Sequence, residues 1–223
     1  MRLCLTGPQV VSPDEWRDAQ KKHLEREKAA TRELSALAAA RRELPMVRVN
    51  DAPSFKFGST TGNLTLLDLF AGRKQLILYH FMLGPDDKEG CVGCSLFADH
   101  IPDLSHLASA NTSFACVATA PVEKIEAFKK RMGWKFPFHS SQDTFKNVQE
   151  GEVVTWLPGN GYFGISVFLR EGDEVFHTYS TTDRGVEIFL VTYHLLDMTP
   201  LGRQEVGRGM ENFKLHDQYP ATA

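Results

Sequence analysis

The sequence has little cysteine, no long apolar run and almost no excess of charge of either sign. Four cysteines in 223 residues are too few for a disulfide scaffold. No N-terminal stretch has the apolar length of a signal peptide, and no segment is apolar enough to span a bilayer. A cytoplasmic protein with no membrane partner is therefore expected, and in that compartment a dithiol rests reduced. Lysine and arginine number 25 against 28 acids, for a net charge of -3. The two signs are mixed along the chain, which leaves no footprint for nucleic acid. A second Cys-x-x-Cys is missing, as is any His-x-x-x-His, so a four-ligand zinc site is not spelled out. There is no internal repeat and no low-complexity segment.

What the sequence does have is one concentrated stretch. Gln75 to Leu83 is an apolar, aromatic-rich run that reads as a strand buried on both faces. Gly84 to Gly90 is a loop of glycine, proline and acids, and Cys91-Val92-Gly93-Cys94 follows where the next helix begins. The first turn of a helix has unpaired N–H groups and the positive end of the dipole, and both favour a thiolate. The Cys91 thiol is thus expected to fall into the range of roughly 3.5 to 7.5 seen for such motifs. Cys91 is the attacking sulfur in this reading, and Cys94, one turn on, resolves a mixed disulfide. Two cysteines at this spacing also make half of a metal site, or two buried thiols. Cys116 lies in the apolar run Phe114 to Val117 and reads as a buried strand residue, while Cys4 lies in a short tail.

The remainder of the chain alternates strand and helix signals. Residues 1–11 read as a loose arm. Ser12-Pro13-Asp14-Glu15 then opens a helix free of glycine and proline from Trp16 to Leu44, closed by Pro45. Leu24, Leu34, Leu37 and Leu44 fall near one face, so residues 1–45 are expected to be an arm and a long amphipathic helix that docks or dimerises. Residues 46–200 form the main domain. In it Phe55 to Asn63 is an edge strand or hairpin and Leu64 to Phe70 a short helix. Ser95 to Ser109 is a helix interrupted at Pro102, Ser113 to Thr119 a buried strand, and Pro121 opens an amphipathic helix on which Val122, Ile125, Phe128 and Met132 share a face. Residues 140–161 read as a flap over the site. Gly164 to Arg170 and Glu174 to Ser180 make a hairpin on which His177 and Tyr179 share a face, and Asp183 caps a last helix to Leu196 that buries Val186, Phe189, Leu190 and Tyr193. Residues 201–223 are expected to be an irregular tail with no core element.

This order, with Cys-x-x-Cys after a central strand, resembles the thioredoxin fold: an α/β domain whose central mixed sheet is flanked by helices, here with a helical N-terminal extension. Phe55-Lys-Phe and Gly62-Asn-Leu-Thr-Leu-Leu-Asp-Leu-Phe-Ala-Gly72 resemble the lead-in of peroxiredoxin-type members. More closely, Tyr79-His-Phe-Met-Leu-Gly-Pro-Asp87, Glu89 to Ser95, Lys124 to Trp134, Val175 to Thr181 and Tyr193 to Arg203 resemble a bacterial thioredoxin-like family of unknown function. Three departures from its better-known relatives stand out. The thioredoxin Trp-Cys-Gly-Pro-Cys becomes Gly90-Cys91-Val92-Gly93-Cys94. Near Gly164 and Ile165, where a thioredoxin has its cis-proline, there is no proline. The threonine three residues before a peroxiredoxin's cysteine is replaced by Lys88.

The activity this implies is a thiol-disulfide oxidoreductase that needs no cofactor and takes a disulfide substrate or a thiol reductant as partner. Three alternatives stand beside it. They are a thiol peroxidase on Cys91, a non-enzymatic module holding a soft metal with Cys91, Cys94 and His80, and an adaptor working through the N-terminal helix. His80 lies on the strand before the motif, where it would tune Cys91 as a cation or accept its proton. The plainer reading of a histidine between Tyr79 and Phe81 is a hydrogen-bonded core residue.

Overall fold

The computed structural model describes residues 9–146, 148, 152–157, 163–205 and 210–220. Cys4 and part of the expected flap lie outside the described residues. Helix α1, Pro13–Arg41, is started by a capping box in which Ser12 and Glu15 bond reciprocally. None of its 29 residues is buried. After β1 (Val47–Arg48) and a 3-10 turn at Ala52–Ser54, β2 (Lys56–Ser59) and β3 (Gly62–Thr65) form the expected hairpin. A second capping box, Thr65 with Asp68, starts α2 at Leu66–Leu69.

The central strand β4 (Gln75–His80) leads to α3 (Val92–Asp99). A break around Pro102 separates α3 from α4 (Leu104–Ser109), with Asp103 as the new cap. Then come β5 (Thr112–Ala118), α5 (Val122–Arg131), β6 (Phe138–Ser140), β7 (Gly164–Glu171), β8 (Glu174–Thr181) and α6 (Val191–Asp197). The strands make one eight-stranded sheet in the order β1-β8-β7-β4-β5-β6-β2-β3. At its centre β4 is parallel to β5 and antiparallel to β7. This is the thioredoxin-like arrangement, a mixed sheet with helices packed on it and a long helix ahead of it.

Alternation along the strands splits the core in two. Tyr79 of β4 and Phe81 just beyond it, with Phe114 and Cys116 of β5, face α3, α5 and α6. Leu76 and Leu78, with Ala115 and Val117, face α2 and the segment around Trp156. Among the described residues there is no helix long and apolar enough to cross a membrane.

Five expectations need correction. The last helix is two pieces, a 3-10 stretch at Asp183–Phe189 and then α6. Thr182, not Asp183, is the cap, and Asp183 sits at φ +50°. Gly185 lies so close to Thr181 that an added Cβ would be 1.9 Å from its Oγ1, and this tight turn re-aims the stretch. Val186, Leu190 and Tyr193 are buried as expected, whereas Phe189 is 42% exposed. His177 and Tyr179 do not share a face: β8 is bulged opposite Val167 and Phe168, and a bulge shifts the alternation by one residue. Residues 138–140 form a strand that the sequence, interrupted by Pro137, did not suggest. The described part of the expected flap packs against the core face remote from the cysteines, with Trp156 2% exposed among Phe55, Phe145 and Phe168. Finally, the tail does contribute to the core, because Leu215 is 1% exposed.

Candidate functional site

Gly90 sets the entry to the dithiol. A Cβ there would lie 2.6 Å from a Phe128 ring carbon and 2.7 Å from one of Phe81, so no larger residue fits before Cys91. The chain is then pinned where Cys91 N–H donates to the Met82 carbonyl at 3.0 Å. Upstream, Gly84 to Asp87 is a turn closed by Gly84 N–H donating to Asp87 Oδ2 at 2.6 Å. Lys124 holds that turn by donating to the carbonyls of Gly84, Pro85 and Asp87.

Cys91 is the N-cap residue of α3 and is half-buried, while Cys94 is 2% exposed. The two thiols are free and adjacent, and their environments push them apart. The Cys94 thiol beside it does most to favour the Cys91 thiolate. Burial opposes this, the Cys94 and Gly93 amides add to it, Asp87 works against it, and the balance brings Cys91 down to about 6. For Cys94, burial and then the Cys91 sulfur drive the thiol well above its ordinary value. One sulfur is thus charged at neutral pH and the other holds its proton.

Tyr79 is the residue that reasoning from sequence missed. It is 1% exposed, stacks on Phe97 at 3.9 Å between ring centroids, and aims its hydroxyl at Cys94. That contact favours a Cys94 thiolate, and burial keeps the phenol itself protonated. Alternation from β4 puts Tyr79 and Phe81 on one face and His80 on the other, but it does not say which face meets α3.

The same alternation removes His80 from the site. Its ring lies on the opposite face, beside Trp156, and its Nε2 is 3.1 Å from Ser166 Oγ, which in turn donates to the Trp156 carbonyl. Burial, then the nearby His177, hold His80 down to about 3, so it is neutral and cannot serve Cys91 as a cation. The tuning role expected for His80 is corrected to that of a core residue. His177 belongs to the same polar cluster, bonded to Thr155 Oγ1 at 2.9 Å and Ser180 Oγ at 2.7 Å. Among the described residues no three His, Cys, Asp or Glu side chains converge as metal ligands.

The described end of the tail lies along α3. Met210 reaches toward Gly93, between the cysteines: a Cβ built there would be 3.4 Å from Met210 Cε and 3.9 Å from Cys91 Sγ. Tyr193 OH donates to Met210 Sδ at 2.7 Å, and the Phe213 ring packs on Tyr193. Beyond buried Leu215, Arg131 donates through Nε to Asp217 and through Nη1 to Glu89, both at 2.6 Å. Gln218 donates to the other oxygen of Glu89 at 2.9 Å. Glu89 is thus fixed, and Arg131 and then Gln218 lower its pKa. At the far end of α3, Asp99 accepts from Trp134 Nε1 and pairs with His216 Nδ1, each at 2.8 Å. Next to it, His100 Nε2 accepts from the Thr192 backbone N–H at 3.1 Å.

Among solved structures, the chain is similar to Peroxiredoxin Q of Xanthomonas campestris, at 16% identity over 67% of this chain and 95% of that one, with a TM-score of 0.44. It is also similar to peroxidoxin BcpB of Mycobacterium tuberculosis, at 19% identity over 69% of this chain and 97% of that one, with a TM-score of 0.40. No curated protein matches the sequence. The model of one family, described as bacterial proteins of unknown function and designated DUF899, matches residues 5–219, and the chain belongs to that family.

Proposed function

We propose that the protein is a thiol-disulfide oxidoreductase with Cys91 as nucleophile and Cys94 as resolving thiol. One observation carries this reading: two adjacent thiols at the start of α3, with Cys91 lowered to about 6 and Cys94 raised. The Cys91 thiolate attacks one sulfur of a substrate disulfide, forming a mixed disulfide and expelling the other sulfur as a thiolate. Cys94 then gives up its proton, which passes to the departing sulfur, and attacks Cys91 Sγ. The substrate leaves as one thiol and one thiolate, the latter taking its proton from water, and the protein holds a Cys91–Cys94 disulfide. An external dithiol restores it by the same exchange in reverse, so two electrons pass from donor to substrate. Tyr79 favours the second step, because its hydroxyl meets Cys94 as negative charge develops there.

The test is alkylation of the reduced protein by iodoacetamide as a function of pH, with the modified sites mapped by mass spectrometry. It is paired with turnover of a small aromatic disulfide in the presence of a dithiol donor. Selective modification of Cys91 with a midpoint near 6, together with turnover, is expected. Slow alkylation of both cysteines with midpoints above 8.5 removes the chemical basis of the proposal.

A further inference from the structure

The described end of the tail does more than complete the core, because it stands beside the reactive sulfur. Met210 Cε and Cys91 Sγ both border the gap that Gly93 leaves in α3: a Cβ built there would be 3.4 Å from the one and 3.9 Å from the other. Methionine is unbranched, apolar and adaptable, which suits it to filling irregular space of this kind. Its sulfur is also fixed. Tyr193 OH donates to it at 2.7 Å, and Tyr193 is 2% exposed, packed by the Phe213 ring and by the Arg203 guanidinium 4.2 Å from its centroid. Phe213 N–H donates to the Met210 carbonyl at 3.1 Å, so the chain turns directly after the methionine.

The anchors lie further along. Leu215 is buried in the core. His216 then ties the strap to Asp99 at the end of α3, while Asp217 and Gln218 tie it, through Arg131 and Glu89, to the loop ahead of that helix. A strap held in this way is a fixed wall of the site. A second neighbour is the Gly84 to Asp87 turn, which Lys124 holds, and its Asp87 lies close enough for its charge to act on the thiol. Cys91 is left half-buried between such neighbours.

Thiol-disulfide exchange depends on access to the sulfur as well as on its charge. A disulfide in a folded protein carries main chain on both sides of each cysteine, and that chain must come down onto the surface around Cys91. A small disulfide carries only a few atoms. We propose that Met210 is a specificity-determining residue that restricts the Cys91–Cys94 pair to low-molecular-weight disulfides and excludes those of folded proteins. This rests on the reading of the pair as an exchanging dithiol and names the class of its substrate. The exclusion is steric: flanking chain on the Gly93 side of the sulfur meets the Met210 side chain, whose latch on Tyr193 keeps it from yielding.

The test compares hydroxyethyl disulfide with insulin, each scored as acceleration over the same dithiol donor alone. It is paired with alkylation by iodoacetamide and by an iodoacetamide group carried on dextran, which reads access to Cys91 without turnover. The unaltered protein should accelerate reduction of hydroxyethyl disulfide and not of insulin, and Cys91 should react with the free reagent and not with the dextran-borne one. Met210→Ala should raise the insulin rate and the dextran-reagent rate by about tenfold, the scale on which a methylene or two in a pocket discriminates. The iodoacetamide midpoint should stay near 6 in that variant. Met210→Leu, which returns the bulk without the sulfur, should return the exclusion. Gly93→Ala, whose methyl fills the gap at ordinary contact distance, should slow hydroxyethyl disulfide reduction.

Equal acceleration of both disulfides by the unaltered protein overturns the proposal and leaves the dithiol reading standing. So does a Met210→Ala protein still closed to insulin and to the dextran reagent, or one in which both reagents gain equally, since Met210 would then brace α3 without sorting by size. A Gly93→Ala protein that reacts as fast as the unaltered one shows that the gap is not the approach, and also overturns it. Reduction of neither disulfide by the unaltered protein overturns the dithiol reading itself, and the substrate class with it.

Discussion

Tyr79 and His80 are neighbours on one strand, both buried, and they lie in two different environments. Tyr79 points to the face where α3 brings in the cysteines, and its hydroxyl meets Cys94. His80 points to the other face, where Ser166, Trp156 and His177 surround it and leave it neutral. The difference teaches that on a central strand the chemistry of a side chain is decided by parity. A tyrosine with an ordinary phenol takes part in the proposed redox site, while the histidine, better suited to acid-base work, is a structural residue of the opposite core. The two faces should accordingly be separable by experiment.

The largest effect belongs to the cysteine face. Cys91→Ser should reduce disulfide turnover to the uncatalysed rate, while Cys94→Ser should trap a mixed disulfide on Cys91 that is visible by mass spectrometry. Trp156→Ala breaks the opposite core and should cost about 3 to 5 kcal/mol in a urea titration. If it also shifts the Cys91 alkylation midpoint away from about 6, the two faces are not independent.

His80 gives a pH signature for the remote face. It is held at about 3 in the fold against 6.5 as a free side chain. Between those values the unfolded chain binds a proton that the folded chain does not. The contribution is therefore intact above pH 6.5 and is lost as pH falls, at about 1.4 kcal/mol per unit within the window. His80→Gln should flatten that part of the stability curve and leave disulfide turnover in place. A curve with the same slope in the variant would assign the acid sensitivity to another group.

Tyr79→Phe should be milder. Loss of one hydrogen bond to a developing thiolate predicts a resolving step slower by about tenfold, read as accumulation of the mixed disulfide in stopped-flow. Arg131→Gln, which loosens Glu89 and Asp217 at two exposed ion pairs, should have the smallest effect, leaving the midpoint of a urea titration nearly in place.

How much of this was legible beforehand depended on how each feature is encoded. The dithiol and the strand before it were readable because an unbroken apolar run, a turn-rich loop and a cysteine pair are all local signals. The helix start at Ser12 came from its capping residues for the same reason. The orientation of His80 was not readable, because it depends on which face the crossover brings α3 to, a long-range property. The β8 bulge parted His177 from Tyr179 through a mismatch with β7 that neither strand records alone. Trp156 lay in a polar, turn-rich stretch where a single indole gives no periodicity, yet it fills the centre of a core. Leu215 was hidden in the same way by the charges around it. The polar residues around it proved to be its supports, since Asp217 and Gln218 tie that stretch to Arg131 and Glu89.

The tie between the tail and α3 also bears on how the protein is made. A ribosome delivers Cys91 and Cys94 long before it delivers Met210, Leu215 and Asp217. Throughout that interval the nascent dithiol stands without Gln218 and His216, which later brace Glu89 on one side and Asp99 on the other. A truncation that removes His216 to Gln218, chosen for convenience because they are far from the cysteines in sequence, would remove braces of the dithiol helix itself.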